Sequence, residues 1–280
     1  MSREVFVRFS KSQCNGVKGA AIVVVLALAA LLEAGCGVTD PAQLAKQQKP
    51  VSVAEVSATE HVSLTRPVLL FNGVGTSSSD VSAVEAILNS MGLGFATVNT
   101  AQLNAMTQAQ MNAYRLFIVP GGNSITIGDN LTKTATSRVH NAVINGGLHY
   151  LGICAGGFFG GYSIYNGLNL TGGKWFNLYS SASKLSLNIT YPNGSKLDVY
   201  WQQGPQFTGW GSIVARYPDG APAIVEGKSG VGWTILVGVH PEAPLSWRYG
   251  MTFTSSVASN NAYAKTLISA ALNGTWLAHF

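Results

Sequence analysis

Short apolar runs closed by glycine alternate with stretches of helical period through the first half of the chain. Residues 67–71, PVLLF, end in Asn72-Gly73-Val74-Gly75, after which Val81, Val84, Ile87, Leu88 and Met91 recur at the spacing of one helix face. The same alternation continues with a strand at 95–98, a helix over 103–114, and a strand at 115–120 running into Gly121-Gly122-Asn123. A helix ends near 139–145 before Gly146-Gly147, and a fourth strand, HYLGI, occupies 149–153. Strand followed by helix, repeated, predicts a doubly wound, mostly parallel α/β sheet with its ligand site at the carboxyl ends of the strands. Beyond residue 180 the pattern changes. Strands predicted at 185–190, 197–201, 212–216, 223–226 and 233–239 are separated by Asn-Gly, Asp-Gly and Ser-Gly pairs, the chemistry of hairpin turns, and a last helix spans 261–272.

The amino-terminal stretch follows different rules. A basic segment leads into residues 20–32, AAIVVVLALAALL, an uncharged run of 13 residues that is short for a membrane span and is followed by small residues. Residues 1–35 therefore read as an export signal, and the expected location is the cell envelope, periplasmic or membrane-anchored. Ala34-Gly35-Cys36 resembles the lipobox of bacterial lipoproteins, which makes Cys36 the candidate lipid attachment site and the membrane a partner. Residues 36–65 are polar and without sustained period, as a tether would be, so the folded domain is expected over 66–280.

Composition narrows the function classes. Of 280 residues 47% are hydrophobic and 10% charged, which excludes intrinsic disorder. The net charge is +5, but +2 of it lies in the first 35 residues and no Lys/Arg run occurs elsewhere, so a nucleic-acid partner is not expected. Three cysteines, Cys14, Cys36 and Cys154, make neither a disulfide framework nor a zinc site. No cofactor and no metal are expected.

Cys154 is the one thiol of the expected domain, and it lies in Gly152-Ile153-Cys154-Ala155-Gly156, where a buried strand must turn sharply into a helix. Glycines two before and two after it allow that close approach, the pattern of a nucleophile elbow with sulfur as nucleophile. The N–H groups that open the following helix favour a thiolate, and Ala155 N–H would face an oxyanion. Gly121 and Gly122, at the end of the third strand, are candidates for the second oxyanion donor. A thiolate in acyl transfer wants an imidazole base and a carboxylate that orients it. Among five histidines, His240 leaves an apolar strand with Glu242 two residues on, whereas the positions of His140 and His149 are explained by ordinary packing.

These residues resemble the class I glutamine amidotransferase superfamily, whose Cys, His and Glu form a hydrolytic triad. HYLGICAGGFFGG at 149–161, VYWQQGPQF at 199–207 and GWTILVGVHPEAP at 232–244 are most similar to the amino-terminal, amidotransferase-like domain of biotin-protein ligases and its free-standing bacterial relatives. The resemblance implies a flavodoxin-like doubly wound fold, Cys154 as nucleophile, His240 as base, Glu242 as orienter, and Gly121, Gly122 and Ala155 around the oxyanion. Functional glutaminases of this superfamily carry Gln two residues after the second elbow glycine, where this chain has Phe158. Nothing resembles the biotinyl-adenylate loop of a ligase, so biotin ligation is not implied.

Asn123, Trp201, Gln202 and Gln203 are candidate substrate contacts, the last three in a loop expected near the elbow. Trp175, Trp201, Trp210, Trp233, Tyr200 and Phe207 either stack on a sugar or peptide or simply pack hairpins. Three activities follow. The first is an exported cysteine hydrolase acting on an amide or related acyl bond of a small molecule or peptide. The second is a catalytically idle module binding a ligand or protein on the same fold. A redox role for the thiol ranks last, because the domain has no resolving cysteine.

Overall fold

A computed structural model describes residues 67–280. The export signal, the tether, Cys36 and the domain boundary at 66 lie outside the described residues. Among the described residues eleven strands form in chain order: β1 (Val68–Phe71), β2 (Phe95–Val98), β3 (Leu116–Val119), β4 (His149–Ile153), β5 (Asn177–Leu178), β6 (Leu185–Thr190), β7 (Lys196–Trp201), β8 (Pro205–Gln206), β9 (Ser212–Arg216), β10 (Pro222–Ser229) and β11 (Gly232–Val237). The helices are α1 (Ser78–Ser90), α2 (Thr100–Ala105), α3 (Gln108–Met111), α4 (Ser124–Asn130), α5 (Lys133–Ile144), α6 (Ala155–Gly160) and α7 (Val257–Asn273).

Nine strands make one sheet in the order β2-β1-β3-β4-β11-β10-β9-β6-β7. The first five run parallel, and from β11 onward each neighbour is antiparallel. The fold is thus the expected doubly wound α/β sheet with antiparallel hairpins in its second half. β11 belongs to both halves: it hairpins back from β10 yet lies parallel to β4, Val237 opposite Ile153. That register brings the ends of β4 and β11 side by side, and Cys154 N–H donates to Val237 O at 2.7 Å.

Alternate residues of the buried strands feed two cores. Val68 and Leu70 face α1 and α7, whereas Leu69 and Phe71 face α5 and α6, the two-sided burial that makes parallel strands read as continuous apolar runs. The predicted helix over 103–114 is in fact two. Asn99 with Gln102, and Thr107 with Gln110, each close a capping box, so two helix starts lie within nine residues and a single helix cannot run through. The short strands β5 and β8 pair outside the main sheet and carry no sequence signal. His149 Nδ1 donates to Ala271 O at 2.6 Å, and His140 Nδ1 donates to Leu168 O at 2.9 Å, which are packing roles.

Candidate active site

Cys154 follows β4 with φ +50°, a left-handed conformation that a residue with a Cβ adopts only when its surroundings impose it. Those surroundings are the glycines. A Cβ on Gly152 would lie 2.2 Å from Gly156 O, and one on Gly156 would lie 1.9 Å from Val119 O. Gly156 N–H donates to Pro120 O at 3.2 Å, tying the elbow to the end of β3. Cys154 is 6% exposed, and its S–H points toward Gln202 O at 3.4 Å. α6 has only six residues, too short for a large macrodipole.

The backbone N–H of His240 donates to Tyr200 O at 2.8 Å, and its ring lies edge-on between Tyr200 and Trp247, with centroids 5.8 and 5.6 Å away. The chain turns at once after it, Ala243 N–H donating to His240 O, which folds Glu242 back so that its Oε1 lies 2.8 Å from His240 Nδ1. Both groups are buried. Burial works against a charged imidazole, but the charges of Cys154 and Glu242 and hydrogen bonding from Asp80 and Cys154 outweigh it, raising the His240 pKa well above its ordinary value. Burial raises that of Glu242, against the pull of the imidazolium.

Asp80 was not legible as a site residue, yet its Oδ1 lies 3.2 Å from His240 Nδ1. It sits in the first turn of α1, whose N-cap Ser77 also donates its backbone N–H to Gly121 O. One signal was available: Asp80 stands four residues before Val84 and seven before Ile87, on the buried stripe of its helix, where an unpaired acid does not belong. Gly121 gives it room, since a Cβ there would lie 2.0 Å from Asp80 Oδ1 and 2.8 Å from His240 Cε1. One imidazole nitrogen thus faces two buried carboxylates. The ligand atoms of Asp80, His240 and Glu242 all lie within 4.8 Å of one another, close enough to hold a cation, but the Nδ1–Oε1 spacing is that of a hydrogen bond.

These groups open into a cleft of about 1120 Å³ at the carboxyl ends of the parallel strands, bordered by Cys154, Ala155, Gly122, Asp80 and His240. Gly121 lies behind this wall, against Asp80 and His240, so Gly122 and Ala155 are the backbone groups nearest a substrate. Asn123, Gln202 and Gln203 border the cleft. Asn123 Oδ1 is occupied in capping α4, and Gln202 Oε1 accepts from Tyr200 OH at 2.6 Å. Trp201 does not border it. That ring is 0% exposed because the β7 alternation that turns Tyr200 toward the cleft turns Trp201 into the core. Trp233 and Phe207 are core as well. Tyr162, Tyr165, Trp175, Trp247 and Tyr249 are among the rings that reach the cleft, and Phe158 borders it as well.

A doubly wound sheet with a cysteine elbow and an antiparallel extension defines a glutamine amidotransferase-like fold, and solved structures agree. A glutamine amidotransferase superposes with TM-score 0.53 at 18% identity, over 75% of this chain and 100% of its own. Those of Methylobacillus flagellatus (TM-score 0.51, 13% identity, 78% of this chain and 98% of the other) and Thermotoga maritima (0.51, 11%, 74% and 98%) share the fold at similar distance. Within this fold, residues 66–169 match the family "Biotin-protein ligase, N terminal". The biotin-protein ligase of Schizosaccharomyces pombe is 28% identical over 160 residues, 45% of this chain. The chain spans about a quarter of the length of that curated relative, 25%.

Proposed function

We propose that the chain is a cysteine hydrolase of amide or related acyl bonds, built on an amidotransferase-like module. The observation that carries the reading is Cys154 on its strained elbow beside His240, whose Nδ1 faces Glu242 at 2.8 Å and Asp80 at 3.2 Å. In this reading the thiolate attacks the acyl carbon, and the negative oxygen is met by the N–H groups of Ala155 and Gly122. The imidazolium protonates the leaving nitrogen as the C–N bond breaks, leaving a thioester. His240 then takes a proton from water, which attacks the thioester and releases the carboxylate and the thiol. Asp80 and Glu242 hold the ring and balance its charge through both steps. Phe158 in place of Gln speaks against glutamine as substrate, and the cleft is far larger than one amino-acid side chain needs.

Two further elements belong to the proposal. Residues 1–35 direct export, and Cys36 is acylated so that the domain is held at a membrane. Detergent-phase partitioning of wild type, lost in Cys36→Ser, tests the anchor. A second reading, an idle binding module, draws on the near-complete burial of the thiol and its contact with Gln202 O.

Alkylation separates the two. The rate of iodoacetamide reaction at Cys154, followed against pH in the full chain, is expected to fall at least tenfold near pH 6.5 in His240→Ala. Equal and slow rates in both proteins would sink the hydrolase reading and leave the binding module.

A further inference from the structure

We propose that the cleft binds an oligosaccharide of N-acylated amino sugars; that the acyl amide is what Cys154 meets rests on the hydrolase reading above, whereas the sugar binding does not. Among the described residues six aromatic rings are exposed, and four of them, Tyr162, Tyr165, Trp175 and Tyr249, border this one cleft. Trp175 is 67% and Tyr249 74% exposed, a cost that a soluble domain accepts where a ligand will cover the rings. Their positions are fixed. Asn166 donates its side-chain amide to Gly128 O and Leu131 O, and Thr171 Oγ donates to Lys174 O, so the segment bearing Tyr162, Tyr165 and Trp175 is pinned at several points. On the opposite side Asp198 accepts from the backbone N–H groups of Thr254 and Ser255, and Arg248 donates to Ser255 O, bracing the segment that carries Trp247 and Tyr249.

The remaining wall decides between ligand classes. Among the described residues, apart from Asp80 and His240 at its floor, Lys184 is the only ionisable side chain other than tyrosine and cysteine bordering the cleft, and its polar lining is otherwise amides and hydroxyls such as Asn177, Gln203 and Ser246. A polyanion would need more cations, and a cationic peptide would need exposed carboxylates. An extended peptide would also want a free strand edge for its backbone, whereas β5 at the cleft has two residues already paired with β8, and the edge strand β7 reaches the cleft at Tyr200, whose carbonyl already accepts from His240 N–H. Planar rings that stack on the C–H faces of a pyranose, beside neutral groups that both donate and accept, fit a neutral sugar chain. The volume of about 1120 Å³ accommodates several residues of it.

The test is titration of the full chain, as Cys154→Ala, with the tetramer of N-acetylglucosamine, read by tryptophan fluorescence and calorimetry. Saturable binding is expected, weakened at least fivefold in Trp175→Ala and in Tyr249→Ala and at least tenfold for cellotetraose, which lacks the acyl amide. Circular dichroism checks that the two surface variants remain folded. No saturable binding of the tetramer, binding indifferent to both rim substitutions, or tighter binding of a neutral aromatic tetrapeptide would each overturn the proposal. Because binding is measured without the nucleophile, a wild type that binds the tetramer but releases no acetate would show that the acetamide is not the bond Cys154 meets and leave the sugar site standing, the hydrolase reading itself being decided by alkylation.

Discussion

The two halves of the sheet divide the work. The parallel half, β2 to β11, carries every group of the proposed reactive cluster: Asp80 after β1, Gly122 after β3, Cys154 after β4, and His240 and Glu242 after β11. The antiparallel half contributes no acid, base or nucleophile to it. It supplies Tyr200 against the His240 ring, Gln202 O against the thiol, and the buried Asp198 that holds the Trp247–Tyr249 segment. Parallel strands converge their ends on one edge and so gather residues distant in sequence. Hairpins return within a few residues and serve as a wall. In the proposed reading, reaction chemistry depends on tight backbone approach in one half, and recognition on braced loops in and beyond the other.

The sharpest break in that division is Cys154→Ala, which should lower turnover of any acyl substrate by about 10⁴-fold or more while leaving thermal stability nearly unchanged. Next comes the elbow. Gly156→Ala drives a Cβ onto Val119 O and should cost roughly 3 kcal/mol of stability together with the activity, measured by urea denaturation. On the antiparallel side Asp198→Ala should cost about 2 kcal/mol and loosen the cleft rim, weakening ligand binding while preserving Cys154 alkylation. An equal loss of alkylation would show that the halves are not separable.

Smaller effects probe the charges. Asp80 helps raise the His240 pKa, so Asp80→Asn should move the imidazole titration to lower pH, visible in ring nitrogen NMR, with a roughly tenfold loss of activity. A group raised in this way contributes stability below about pH 6.5, where it is charged in both states, and that stability is lost as pH rises through the folded value. Asp80→Asn should shrink it. The least effect lies far from the site, at Glu226, which burial pushes up to about 7 against the Leu277 N–H it accepts. From its ordinary 4.5 to about 7 the folded state keeps a proton that the unfolded state releases, so stability falls as pH rises. Glu226→Gln keeps the acceptor and should flatten that fall by on the order of 1 kcal/mol.

Much of this was readable in the chain. Runs such as HYLGI at 149–153, bounded by glycine, could only be buried strands, and glycines on both sides of Cys154 announced the sharp turn. The hairpins declared themselves through Asn193-Gly194 and Asp219-Gly220. Other features were not readable. Trp201 and Tyr200 are equally aromatic neighbours, and which one faces the cleft depends on the phase of β7 against the sheet. The two helices around residue 107 were concealed because an apolar period runs across both capping boxes.

The sequence by itself determined the alternation of strand and helix, the elbow at Cys154 and the pairing of His240 with Glu242, because each rests on residues within one or two turns of each other. Only the tertiary structure decided that β11 lies beside β4, that Asp80 reaches the same imidazole, and that Trp175 and Tyr249 ring one cleft. Those contacts join residues far apart along the chain, and local pattern carries no information about which distant surfaces burial will press together.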